Sequence, residues 1–92
     1  MNRPREAVRN FADGMETVLN KHDKVKGELG WRDSSCTIDH LRNLLQKKVA
    51  AFHQNCFNLE PMKVKQDCIH IANYAMMIFD RLEIQQGIVP EE

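Results

Sequence analysis

The stretch from Cys68 to Phe79 is apolar on nearly every side of a helix. It lies within residues 61–86, a segment that begins with a proline suited to a first helical turn and is followed by Gly87 and Pro90 as stop signals. A helix that covers one face of a small monomer needs only a single apolar stripe. We therefore predict a long third helix that lies between two layers, one of them supplied by another subunit.

Two further segments have the spacing of amphipathic helices. The first covers residues 4–21, in which Gly14 marks a close contact with a neighbour. The second runs to about Gln54 from a cap at Ser34, Ser35 or Thr37. With only four Gly and three Pro in the chain, we predict an all-α fold. It is an antiparallel bundle of three main helices with one irregular segment between the first two.

Length and composition restrict the classes of protein and partner. A chain of 92 residues is expected to form one domain, residues 1–92, and to bury only about 60% of the surface of its unfolded form, so self-association is expected. Thirteen Lys and Arg balance thirteen Asp and Glu, which argues against nucleic acid as a partner. Since the sequence has no long apolar run and no apolar signal core, we expect a cytoplasmic protein that does not enter a membrane.

Polar groups on the apolar third helix form the first candidate site. Asp67, His70 and Asn73 recur every three residues and therefore stack along one side of that helix. Buried polar groups are costly without partners. The stripe therefore predicts either an interhelical hydrogen-bond cluster, which we favour, or a ligand site.

The three cysteines are odd in number and include no CxxC pair, so we expect reduced thiols. Two of them belong to a set of ligand types that zinc accepts, formed by His53, Cys56, Cys68 and His70. The spacing of this set matches no common zinc motif, so a zinc site is a minor alternative.

Two side chains are each open to two interpretations. Trp31, in the irregular segment, either covers the edge of the core, which we favour, or offers a stacking surface to a planar ligand. Lys48 lies close to the apolar stripe of the second helix. It either lays its stem along the core with its ammonium group in water or takes part in a site.

Three stretches of the chain resemble a single family. They are FADGMETVLNKHDKVKGELGW, LRNLLQKKVAAF and HIANYAMMIFDRL. They are similar to the first helix with its Lys-Gly-Gly-Trp loop, the second helix, and the Asp-Val-Ala-Asn-Phe-Ala-Met-Met-Ile-x-Asp helix of the small MazG-like nucleotide pyrophosphohydrolases of phages, mobile elements and bacteria. The likeness covers residues 11–82, and it implies hydrolysis of nucleoside triphosphates to monophosphates and pyrophosphate.

Members of this family hold magnesium with carboxylates spaced as Glu-x-x-Glu on one helix and Glu-x-x-Asp on the next. The resemblance places these positions at Lys48, Ala51, Asp67 and His70, so only Asp67 keeps a carboxylate. Mg²⁺ requires near-octahedral oxygen coordination, which this set supplies poorly. Asp67 and His70 remain as candidate metal ligands. We predict that the ammonium group of Lys48 takes the place of the missing metal and pairs with Asp67.

The resemblance also implies substrate-binding residues. Lys24, Lys26 and Trp31 fall in the loop that lies over the nucleotide in relatives, and Asn73 falls beside the metal-binding helix. Our leading expectation is a catalytically impaired MazG-like protein that needs no cofactor. It forms a homodimer or a higher homo-oligomer and binds a nucleotide or a protein partner.

Two alternatives stay open. One is an active nucleoside triphosphate pyrophosphohydrolase with a divergent metal site, in which Asp67 and His70, with His53 or Glu60, hold Mg²⁺ or, more readily, Mn²⁺. The other is a structural helical adaptor.

Overall fold

Three helices dominate the computed structural model, which describes residues 3–86 except for the side chains of Lys26, Gln85 and Gln86. Helix α1 spans Glu6–Lys26, α2 spans Ile38–Phe57, and α3 spans Pro61–Gln86. A single 3₁₀ turn, Gly30–Arg32, lies between α1 and α2, and residues 3–86 contain no strand. The prediction of an all-α fold is confirmed, whereas the stop signals at residues 87 and 90 lie outside the described residues.

Helix α1 begins later and ends later than the sequence predicts. Arg5 is extended, with φ −60° and ψ 159°, and acts as the N-cap, so Pro4 precedes the helix and does not open it. At the other end the helix continues past Lys21 because residues 22–26 contain no helix breaker. Gly27 then ends it with a φ of 81°, and its N–H donates to the carbonyl of Asp23 at 2.9 Å.

Helix α2 starts at one of the three predicted caps. The hydroxyl of Thr37 accepts a hydrogen bond from the backbone N–H of His40 at 3.1 Å, which satisfies one of the free donors of the first turn. The helix continues three residues beyond its predicted end at Gln54, to Phe57. A short turn then leads into α3, with Leu59 at a φ of 55°.

Helix α3 packs against α2 along one side and against α1 along another, and α1 and α2 share no comparable interface. α1 meets α3 at Gly14, where a Cβ atom on the glycine would lie 2.8 Å from Cδ1 of Ile69, as expected for a glycine at a helix contact. Both layers around α3 therefore come from its own chain, and its apolar composition does not by itself require a second subunit.

The hydrophobic core is small. Among the described residues, four hydrophobic ones are buried, namely Leu19, Trp31, Leu41 and Met77, all towards the end where α1 finishes and α2 begins. Every residue from Arg3 to Asp13 is exposed, so no side chain in the first turns of α1 belongs to the core. None of the helices in residues 3–86 has the length and apolar character needed to span a membrane.

Candidate functional site

The α1–α2 connection, residues 27–37, is fastened to the last turns of α3. The indole N–H of Trp31 donates to Oδ2 of Asp80 at 2.8 Å. Arg32 donates to both oxygens of the same carboxylate, at 2.8 and 2.9 Å. These bonds, that from Arg32 foremost, hold the pKa of Asp80 below its ordinary value, although partial burial opposes them. Trp31 is only 7% exposed and belongs to the core, as the core-edge interpretation predicts.

Arg81 fixes the backbone of the same connection. Its side chain is buried, and Nη1 donates to the carbonyl oxygens of Trp31 at 2.8 Å and Asp33 at 2.9 Å, and to that of Cys36. A buried guanidinium is costly unless its donors are used. Here its Nη1 donates to three carbonyls of the irregular segment, which have no partner within a helix.

A first cavity of about 380 Å³ lies under this connection. Trp31, Leu41, Tyr74 and Met77 give it apolar and aromatic walls, while polar groups come from the connection and from the facing ends of α1 and α2. The polar lining residues are His22, Asp33, Ser35 and His40. Asp33 accepts hydrogen bonds from the N–H and the hydroxyl of Ser35, at 2.9 and 2.8 Å, and these bonds lower the pKa of Asp33.

A second cavity of about 470 Å³ lies between α1 and α3. It contains two members of the predicted polar stripe, His70 and Asn73, together with Lys21 and His22 from α1. The first cavity is its neighbour, because His22, Tyr74 and Met77 line both.

Asn73 is the buried polar group of this second cavity, with 3% of its surface exposed. Its Nδ2 donates to the carbonyl of Met15 over a long 3.4 Å. Its Oδ1 is buried and has no hydrogen-bond partner among the described residues, and neither has the buried Nδ1 of His22. The interhelical cluster that we favoured for the stripe is therefore incomplete at Asn73, a residue that lines this cavity.

The positions that the resemblance assigns to metal-binding acids lie at the α2–α3 interface. Asp67 is buried and accepts a hydrogen bond from Nδ2 of Asn55 at 2.6 Å. No ion pair within 4.0 Å joins Asp67 to Lys48, so the predicted pairing is wrong. Asn55 lies two turns after Lys48 on the same face of α2, and its neutral amide bonds to the carboxylate instead.

His70 lies close enough to Lys48 and Asp67 for both charges to shift its pKa. Burial lowers its pKa, the positive charge of Lys48 lowers it further, and the negative charge of Asp67 opposes the shift. Lys48 and Ala51 are half-buried. The four positions thus form a mixed cluster with one acid. Within residues 3–86, no group of three or more His, Cys, Asp or Glu is placed to hold a metal ion.

The remaining predicted site residues lie elsewhere. Lys24 is exposed and lines neither cavity, and the side chain of Lys26 falls outside the described part of the chain. The cysteines are free thiols, as predicted, and His53 and Cys56 of the zinc-type set are exposed. Sequence reasoning missed His22, Asn55, Asp80 and Arg81. The only sequence signal for any of them was that Asp80 and Arg81 form a charged pair directly after the apolar stretch of α3.

No protein-family model matches the sequence, and no curated protein and no solved structure matches it either. The likeness to MazG-like proteins therefore rests on the three stretches quoted above.

Proposed function

We propose that this chain is a MazG-like helical protein that binds a nucleotide without depending on Mg²⁺ and has lost most or all of the hydrolytic activity of that family. It acts as a homo-oligomer. The observation that carries the proposal is that Asn73 lines the cavity between α1 and α3 and that its buried Oδ1 has no hydrogen-bond partner among the described residues.

An unused acceptor on a cavity-lining residue favours a ligand that presents an N–H or O–H donor, because a hydrogen bond to it would remove an unfavourable buried state. Nucleobases and sugars carry such donors. The second cavity, at about 470 Å³, falls within the range of roughly 300–1,000 Å³ that is typical of small-molecule sites.

Charge at the α2–α3 interface supports binding without metal. A family site with four acids needs cations before it can accept a triphosphate. Here Lys48 and His70 replace two acids and Ala51 replaces a third. Lys48 has no ion pair within 4.0 Å in the described residues. Its ammonium charge can attract a phosphate directly.

The test is calorimetric titration with a panel of nucleoside triphosphates, each in EDTA and in Mg²⁺. We expect at least one to bind in EDTA, and we expect Asn73→Leu to weaken it about tenfold, the effect of one lost hydrogen bond of about 1.4 kcal/mol. Asn43→Leu makes the same change at an exposed position on α2 and should leave binding unchanged.

Three outcomes would contradict the proposal. Pyrophosphate release with Mg²⁺ or Mn²⁺ that disappears in Asp67→Ala would identify a working pyrophosphohydrolase. Absence of binding by every nucleotide at millimolar concentration would favour a protein partner or an adaptor role. Equal affinities for Asn73→Leu and the parent chain, with both variants folded by circular dichroism, would exclude the second cavity as the site.

A further inference from the structure

The first turns of α1 form an apolar surface that the chain itself does not cover. Val8 and Phe11 are 50% and 41% exposed. They share one side of the helix with the exposed Ala12 and the half-buried Met15. The first half-buried residue of α1 is Gly14, so this stripe runs without interruption from the packed half of the helix into its exposed half.

The surface area of the chain leaves room for an interface. The chain exposes 7349 Å², whereas a compact monomer of 10.7 kDa exposes roughly 5,500 Å². Even if the eight residues outside 3–86 were counted as fully unfolded, they would explain only about half of the excess. The remainder, on the order of 900 Å², is comparable with the ~800 Å² that each partner buries in a stable interface. It belongs to the chain as a whole, since Val25, Phe57, Leu59 and Met62 are also exposed, and the first turns of α1 supply part of it.

Charges beside the stripe are arranged with opposite signs at its two ends. Arg5 and Arg9 precede Asp13 and Glu16, and all four are exposed. None of them forms an ion pair within the described residues. At about 100° per residue, Arg5, Arg9 and Glu16 fall on the same flank of the stripe, and Asp13 lies just beyond them.

We infer that this surface pairs with the same surface of a second copy, with the two α1 helices antiparallel about a twofold axis near Phe11. An antiparallel pair brings equivalent flanks together. Arg5 then faces Glu16 of the second copy, and Arg9 faces its Asp13. A parallel arrangement would instead bring this flank against the opposite flank of the second copy, so these charges would not meet. The inference rests on the homo-oligomer of the proposed function and gives that oligomer its contact surface.

Charge reversal tests the pairing without touching the core. One variant carries Arg5→Glu and Arg9→Glu, which makes the flank acidic throughout. The other carries Asp13→Arg and Glu16→Arg, which makes it basic throughout. Each full-length variant is studied alone and then in an equimolar mixture by light scattering and sedimentation equilibrium. Arg42→Glu and Lys65→Glu, at exposed positions on α2 and α3, form the control double variant.

We expect the parent chain and the control variant to be dimers. We expect each flank variant alone to dimerise at least about tenfold more weakly, because several rim pairs become repulsive. The mixture should regain a dimer that contains one chain of each kind. Monomeric parent chain, flank variants that dimerise like the parent, or a mixture that stays monomeric would each overturn the inference.

Nucleotide affinity is measured on the same samples. Because the second cavity is built within one chain, dimers that respond to charge as described support this interface even if no nucleotide binds. Conversely, nucleotide binding by a monomer would leave the proposed ligand site in place and refute the interface.

Discussion

Arg81 donates a guanidinium N–H to the backbone carbonyl of Trp31 at 2.8 Å, and thereby ties the last turns of α3 to the irregular connection fifty residues earlier. The same Nη1 also reaches the carbonyls of Asp33 and Cys36. Three carbonyls of the connection share this donor group, so the conformation of the connection depends on this arginine.

Replacing Arg81 with Met is expected to lower the free energy of unfolding by about 2–4 kcal/mol, because one buried and two partly buried hydrogen bonds lose their charged donor. Chemical denaturation measures the change. Arg42→Met is the matched control, since Arg42 is exposed and only 3.6 Å from Asp39 in a surface pair, and it should cost less than about 0.5 kcal/mol. Equal losses for the two variants would contradict the role of Arg81.

The Asp80 carboxylate is expected to contribute stability that depends on pH. Its pKa in the folded chain lies below the ordinary value of 3.8, so its contribution is present above that value and is lost as the pH falls through the lower folded pKa. Asp80→Asn should therefore be destabilised by about 1–2 kcal/mol at pH 7. Its difference from the parent chain should shrink below about pH 4. A difference that stays constant down to about pH 2 would refute this account.

Alanine at position 14 is expected to fit only if the side chain of Ile69 moves. Alanine gains about 1 kcal/mol of helix propensity over glycine, but its Cβ would lie 2.8 Å from Cδ1 of Ile69. We expect Gly14→Ala to be close to neutral in the parent chain. In an Ile69→Val background, which lacks that methyl group, it should stabilise by about 1 kcal/mol. A double-mutant cycle with no coupling would show that the helices do not meet there.

The pKa of His70 should respond in opposite directions to its two charged neighbours. Lys48→Met removes a positive charge and should raise the pKa, although burial would still hold it below its ordinary value. Asp67→Asn removes a negative charge and should lower the pKa further. Titration of the imidazole by NMR reads both, and a shift of the same sign in the two variants would show that the three residues do not lie as described.

Helix positions followed closely from the sequence, and helix ends less so. The bounds of α3 were predicted because Pro61 opens an uninterrupted helical pattern. The end of α1 was not predicted, because the charged residues before Gly27 are compatible with either a helix or a loop. Only the positive φ of Gly27 places the end of the helix there. Thr37 was one of three equivalent caps, and the sequence cannot rank hydroxyls whose geometry depends on the preceding turn.

Only the part of the candidate site that lies on a single helix could be predicted from the sequence. A spacing of three along α3 identified His70 and Asn73, which line one cavity. The bonds of Asp67 to Asn55, and of Asp80 and Arg81 to the α1–α2 connection, join different elements. Periodicity within a single helix carries no information on which distant group a polar side chain meets. Lys48 was wrongly paired with Asp67 because the resemblance places both at metal-binding positions, whereas Asn55 takes the carboxylate.

The bonds that fasten the α1–α2 connection join residues 45 to 50 positions apart, whereas α2 and α3 meet across a short turn. Closing a longer loop costs more chain entropy and is the slower event. We therefore expect α2 and α3 to pair early in folding and the connection to dock last. Substitutions at Arg81 would then speed unfolding and leave the folding rate nearly unchanged, and the first cavity would exist only once folding is complete.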